Sequence, residues 1–286
     1  MKDGLTFEIW DVFTDRPFAG NPLAIVDTDG DLSTAQMQAI ARQFNLSETI
    51  FLMPPRDAAN TARARIFFPV GEIPFAGHPT IGAALCLAER SGAGRIVLEE
   101  EAGLVPVTIA DGQAQFTAPV LPVPQGGPID PTLCARALGI ADDLIGPDRP
   151  GAFAGGPAFV YVPVHNRAAL SAAAPREPEW SSLMEVAGVD SALVYDPDLN
   201  ARMFSPTGGI PEDPATGSAC AILAGQMLAN GRLPEGLTRR TILQGEDMGR
   251  PSRIGFEAEV ADGKLVAVRI SGTAVPVASG RIRIPG

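Results

Sequence analysis

The chain carries a copy of part of itself. Moving it along by 137 positions lays Ala64-Arg65-Ile66-Phe67-Phe68-Pro69-Val70-Gly71-Glu72-Ile73-Pro74 over Ala201-Arg202-Met203-Phe204-Ser205-Pro206-Thr207-Gly208-Gly209-Ile210-Pro211, with seven identities in eleven. After a two-residue slip His78 faces Asp213, and Pro79, Gly82 and Ala84 face Pro214, Gly217 and Ala219. Each copy reads as a strand, a turn punctuated by glycine and proline, and an apolar helix, spanning Thr80 to Leu87 in the first and Cys220 to Leu228 in the second. A chain of 286 residues is long enough for two ordinary domains, so the repeat predicts two halves of one design.

That unit has a chemical use. A helix with proline in its first turn leaves backbone N–H groups unpaired at its positive end, and such an end binds carboxylate or phosphate. Two of them related by an internal twofold are expected to face each other across a cleft, each offering N–H groups and one polar side chain, His78 or Asp213. Turns of this kind also occur as plain structure; keeping the same punctuation in both copies favours a site.

Composition narrows the chemistry. Net charge is −11 and no Lys/Arg cluster occurs, which argues against nucleic acid or an anionic membrane as partner, so any anion is held locally. Met1 to Trp10 alternates like a strand, and no apolar run approaches a membrane span; a cytoplasmic protein is expected. The three cysteines, Cys86, Cys134 and Cys220, lie in apolar, helix-like surroundings without zinc-site or redox spacing and read as buried small hydrophobes. Lys2, near the terminus, and Lys264, beside the Asp262-Gly263 turn, are the only lysines and make poor hosts for a pyridoxal phosphate Schiff base. With His78 and His165 the only histidines, there is no HExxH and no histidine cluster, and no phosphate-binding or dinucleotide glycine motif occurs. The expectation is an enzyme working with no cofactor and no metal.

Along the chain, a strand from Leu5 to Phe13 leads through the turn-rich Thr14 to Pro22 into a second strand, Leu23 to Val26. Ser33 can cap a helix whose Met37, Ile40, Ala41 and Phe44 fall at helical spacing and which stops near Asn45. Glu48 then stands at the mouth of an apolar strand, where partial burial would suit it to proton transfer; an edge glutamate facing water would look the same. Glu99-Glu100-Glu101 reads as a solvated strand end. Boundaries are expected at 1–118 for the first half, 119–128 for a proline-rich linker and 129–286 for the second half, with the last strand free to return to the first. Many strands and one long apolar helix per half predict α+β architecture: two pseudo-twofold-related domains, each a curved, mostly antiparallel sheet wrapped around a central helix.

Five motifs then suggest a family. They are Asp11-Val12-Phe13-Thr14 with Phe18-Ala19-Gly20-Asn21-Pro22, Ser47-Glu48-Thr49, Phe75-Ala76-Gly77-His78-Pro79-Thr80, Glu212-Asp213-Pro214-Ala215-Thr216-Gly217-Ser218-Ala219, and Gln244-Gly245 through Met248-Gly249-Arg250-Pro251-Ser252. In this order, from the first strand to the last, the chain resembles the PhzF-like phenazine-biosynthesis family. That family is similar in fold to diaminopimelate epimerase and proline racemase, which use two opposed thiols in a cleft between halves. Here the matching slots hold Gly77-His78 and Asp213, so two-thiol racemisation is disfavoured.

The resemblance implies isomerisation, with one glutamate moving a proton along a conjugated ring, as in the isomerase of a dihydro-hydroxyanthranilate. Carried over, that glutamate is Glu48, with His78 and Asp213 as catalytic partners and Ser47, Gly77, Pro79, Thr80, Gly217 and Ser218 as substrate-binding residues. The expected protein is a cofactor-independent isomerase of a small carboxylate-bearing molecule, and by resemblance a homodimer. An epimerase working through Glu48 and Asp213 on opposite faces of a carbon, and a metabolite-binding protein without catalysis, are the alternatives.

Overall fold

The structure is a computed structural model that describes residues 4–286; Met1, Lys2 and Asp3, the start of the alternating stretch Met1 to Trp10, lie outside the described residues. In chain order the elements are β1 Gly4–Val12, β2 Asn21–Asp27, α1 Thr34–Phe44, β3 Glu48–Met53, β4 Ala62–Phe67, β5 Glu72–Ile73, α2 Gly77–Ser91, β6 Arg95–Glu100, β7 Gly103–Ala110 and β8 Gln113–Thr117. There follow β9 Val123–Gln125, α3 Pro131–Leu138, β10 Gly151–Ala154, β11 Ala158–Pro163, α4 Arg167–Ala172, α5 Glu179–Ala187, β12 Ala192–Tyr195, β13 Asn200–Ser205, β14 Ile210–Asp213, α6 Gly217–Ala229, β15 Gly236–Gln244, β16 Ser252–Ala261, β17 Lys264–Gly272 and β18 Ala274–Arg283. The chain divides into two compact units, one of residues up to 117 together with 271–286, the other of 118–270.

The two units share one pairing scheme. In the first, β1 runs antiparallel to β2, β2 parallel to β3, β3 antiparallel to β4, β4 antiparallel to β5 and parallel to β6, and β6 antiparallel to β7. In the second, β10–β11, β11–β12, β12–β13, β13–β14, β13–β15 and β15–β16 repeat those orientations in the same order. A side-chain device repeats as well. Arg65 grips Glu72 with two N–H donors at 2.6 Å and lies 5.2 Å over the Phe67 ring. Arg202 grips Glu212 at 2.8 Å and lies 4.8 Å over Phe204. Each pair ties the hairpin that leads into a central helix, and both are partly buried, where a bidentate contact holds better than a surface one.

Each sheet is covered on both faces. Val26, Phe51 and Phe67 pack on Met37, Ile40 and Ala41 of α1, while α2 lies against β1, β2, β3, β6, β7, β8 and β18. In the second unit α3, α4 and α5 cover Val160, Val162, Val194 and Phe204, and α6 packs on β10, β11 and β16. This explains why β3 is buried at every position instead of alternating. It also explains α2 and α6: all residues from Gly77 to Cys86, and all from Ala219 to Met227, are buried, so neither helix has a solvent face.

Several expectations are revised in detail. The helices begin earlier than the apolar runs, at Gly77 and Gly217, because the glycine and proline positions are taken into the first turn. The proline-rich stretch 119–128 contains a strand, Val123–Gln125, which pairs with β10. The final strand β18 pairs with β1, Leu5 opposite Ile282. The triad Glu99-Glu100-Glu101 is not a solvated end: Glu100 is buried, and Glu99 accepts N–H bonds from Arg56 and Asp57 and the Asn60 amide, closing that loop.

Gly82 lets α2 sit close to the sheet. A β-carbon there would lie 2.6 Å from Leu23 and 2.7 Å from Val12. Gly82→Val is therefore expected to cost about 1–3 kcal/mol by overpacking. Urea denaturation measures it, and an unchanged midpoint would show that the helix has room to move.

Candidate active site

In the first unit the chain is steered so that Glu48 opens a strand. Helix α1 stops at Asn45, which takes the left-handed conformation at φ 52° and sends its N–H back to Ala41. Leu46 and Ser47 follow, both half-buried, and Glu48 pairs with Leu23 of β2 as the first residue of β3. Its carboxyl is buried, so the reading of an edge glutamate in water does not hold. Oε2 of Glu48 lies 2.8 Å from Nδ1 of His78, the second residue of α2. Oε2 and the other ring nitrogen of His78, Nε2, are buried without a hydrogen-bond partner, so the Glu48–His78 approach is a close contact off the line of a linear bond. Gly77, Pro79 and Thr80 are buried in the same turn.

The start of that helix is chemically open. The N-terminus of α1 is closed by a capping box between Ser33 and Gln36, and α3 and α4 by Asp130 and Asn166. By contrast Ala76 and Thr216, which precede α2 and α6, give no side-chain cap. At α5, Pro178 gives no side-chain cap either, but Glu177 accepts from the Ser181 N–H, so the positive ends of the two most buried helices are those left for an outside acceptor.

In the second unit β14 ends at Asp213, which is buried, and α6 begins four residues on. Thr216 donates its hydroxyl to Oδ2 of Asp213 at 2.5 Å. Gln244, at the end of β15 and fully buried, organises this turn from below. Its Nε2 donates to the Asp213 carbonyl at 2.7 Å and the Thr216 hydroxyl at 3.1 Å, and its Oε1 accepts from the Thr216 N–H at 3.1 Å. Gly245 follows at φ 77°, where a β-carbon would sit 2.7 Å from the Pro214 carbonyl; the loop 245–252 thereby presses against the turn. Gly217 is buried and Ser218 half-buried in the first turn of α6.

The structure corrects the register of the repeat at the helix starts. Ala76 and Thr216 are the equivalent caps, each accepting from the N–H four residues on, so Gly77 matches Gly217 and His78 matches Ser218 instead of Asp213. Downstream, Thr80 then matches Cys220. The side chains of these two residues face the strand residues Glu100 and Gln244 respectively.

Thr216, Gln244 and Glu100 are the residues that sequence reasoning missed. Gln244 had a signal, because it stands in a recognised motif, but nothing local says that a strand-end side chain reaches under a helix. Burial pushes the thiols of Cys86 and Cys134 up to about 12 and that of Cys220 higher still, so all three are protonated near neutrality.

Comparison with known proteins places this chain in a family. Residues 10–280 match the family described as phenazine biosynthesis-like protein, PhzC-PhzF. The chain belongs to that family. An uncharacterized isomerase of Mesorhizobium japonicum is 42% identical, covering 96% of this chain and 98% of the relative. The trans-2,3-dihydro-3-hydroxyanthranilate isomerase of Pseudomonas aeruginosa is 36% identical over the same shares. A PhzF-family phenazine biosynthesis protein of Bacillus anthracis has the same fold, with TM-score 0.86, 24% identity, and coverage of 98% of this chain and 99% of that one. The PhzF-like chain has no helix long and apolar enough to cross a membrane among its described residues.

Gln244→Ala removes the amide that holds three groups of the Asp213–Thr216 turn, leaving a buried carbonyl and a partly buried N–H unpaired. It is expected to destabilise the protein by about 2 kcal/mol or more. Equilibrium unfolding reads this out; a loss under about 0.5 kcal/mol would mean that the turn holds without Gln244.

Proposed function

We propose that this protein is a cofactor-independent isomerase that moves a proton by general acid/base catalysis on a small carboxylate-bearing substrate. The observation that carries the reading is the buried 2.8 Å contact between Glu48 and His78 at the uncapped start of α2. In this reading Glu48, as carboxylate, takes a proton from a substrate carbon. The electron pair left behind spreads through a conjugated system, and the same carboxyl returns the proton to another carbon, so no charge or redox equivalent is left over. With the Nδ1 proton of His78 toward Glu48, neutral imidazole offers the lone pair of its buried Nε2 to a substrate hydroxyl or amine. On the family resemblance, substrate binding is assigned to the N–H groups at Gly77 with Ser47, Pro79 and Thr80 in the first unit and to those at Gly217 with Ser218 in the second, and Asp213, steadied by Thr216, orients a polar substituent. A homodimer in the cytoplasm is part of the proposal, on the family resemblance.

Glu48→Gln keeps the shape and removes the proton carrier. It is expected to lower kcat at least about a hundredfold with little change in KM. The substrate named for the P. aeruginosa relative is the first probe, and turnover in heavy water is expected to place deuterium at one product carbon. Near-normal kcat in folded Glu48→Gln protein would remove Glu48 from the chemistry.

Substrate binding is tested separately. Ser218→Ala is expected to weaken it by about 1 kcal/mol, roughly fivefold in Kd, with kcat nearly kept. Unchanged affinity by calorimetry would take Ser218 out of the binding set.

A further inference from the structure

Glu100, the last residue of β6, is buried and used by none of the steps above. Its Oε1 lies 2.7 Å from the hydroxyl of Thr80, and that hydroxyl also lies 2.8 Å from the Ala76 carbonyl. A hydroxyl has one proton to give, and a carbonyl can only accept. Were Glu100 a carboxylate, one of these two short contacts would be oxygen against oxygen with no hydrogen between. A protonated Glu100 satisfies both: it donates to Thr80, and Thr80 donates to Ala76. Its other oxygen, Oε2, is buried with no hydrogen-bond partner, which a neutral acid tolerates far better than a charged one.

The second unit supports this independently. β4 pairs Arg63 with Glu99, and β13 pairs Asn200 with Leu243. Since the repeat lays Arg63 over Asn200, Glu100 falls on Gln244, a residue that is neutral at every pH and donates to the start of α6. Burial points the same way, pushing the Glu100 carboxyl up to about 8 against the modest opposing bond from Thr80.

We propose that Glu100 works as a neutral carboxylic acid, the counterpart of Gln244, which through Thr80 pins the first turn of α2 and so positions His78 against Glu48. Loss of its proton then sets an alkaline limit on the site. The positioning role rests on the isomerase reading, whereas the protonation state does not. The charged groups around Glu100 are few. β7 places Gly103 opposite it. β4 carries Arg63 and Arg65, the latter held by Glu72. Glu99 is occupied by the 56–60 loop, and Glu101 is close enough to Arg65 to act on it. α2 and β3 bring His78 and Glu48. Among the described residues none forms an ion pair with Glu100.

The test compares thermal stability of wild type and E100Q across pH. A carboxyl whose folded value is raised destabilises the fold progressively between its unfolded value, about 4.5, and its folded value, about 8, because the unfolded chain gives up its proton first. Glutamine has no such penalty. The Tm advantage of E100Q is expected to widen by on the order of 5 °C between those pH values and to level off above them. A difference that stays flat with pH overturns the assignment, whatever the protein catalyses. If E100Q does not fold, carboxyl ¹³C NMR of the wild type decides: a glutamate titrating near pH 8 supports the proposal, and none titrating above about 6 overturns it. On turnover, E100Q is expected to keep at least about half of the neutral kcat/KM and to move the alkaline limb of its pH profile upward by about one unit. An unmoved limb in a variant that passes the thermal test overturns the positioning role alone.

Discussion

A helix without a polar face has to be enclosed on every side. From Gly77 to Cys86, and again from Ala219 to Met227, every residue is buried, and the chain offers no amphipathic stripe to seat them on a flat layer. The solution in each unit is a sheet whose strands pack around the helix from several directions, with shorter amphipathic helices closing the outer face. Burying each Leu, Ile or Met on such a helix contributes about 1.5–3 kcal/mol, so the arrangement is strongly held. Small residues set how close it comes: Gly82 faces Leu23 and Val12, and Gly225 faces Phe153 and Pro122.

Enclosure leaves only the ends of the helix for chemistry. A buried helix start without a side-chain cap keeps backbone N–H groups and a positive field inside a low-dielectric setting, where both act more strongly than in water. The family resemblance assigns the remaining polar groups to these starts, and the structure puts a supporting residue beneath each of them: Gln244 in one unit, Glu100 through Thr80 in the other. With a net charge of −11 and no Lys/Arg cluster in the sequence, such local positive ends are the natural means of holding an anion in the proposed reading.

Much of this was legible in the sequence for identifiable reasons. The apolar helices, the Ser33 cap and the stop at Asn45 are local signals, and the structure follows them. The repeat was visible because the Arg and Phe of the device and the Pro and Gly of its turn are the same in both copies, whereas the Glu partners, Glu72 and Glu212, fall out of register. Three things were not legible. The slip at the helix starts was placed wrongly because proline and glycine, which mark turns, sit at different depths in the two first turns. Glu100 looked solvated because acids at strand ends usually are, and only the helix packed over β6 buries it. Thr216 joins Asp213 through a turn whose geometry depends on Gln244, 28 residues away in sequence.

The two copies also show how a duplicated scaffold diverges. The backbone task is the same in each: hold the first turn of an enclosed helix from a neighbouring strand, using a donor that carries no charge. In one unit an amide does this, and the position it supports carries Thr216 and a buried Asp213. In the other a carboxyl does it, through Thr80, and the turn it supports carries His78 against Glu48. A carboxyl can fill an amide's place only while burial keeps it protonated, and burial is what the enclosed helix provides. The constraint that shapes the fold therefore also decides which of its acids is a charged group and which is a structural donor: Glu99 faces the surface loop and sits at about 2, while Glu100, one residue on and turned inward, sits near 8.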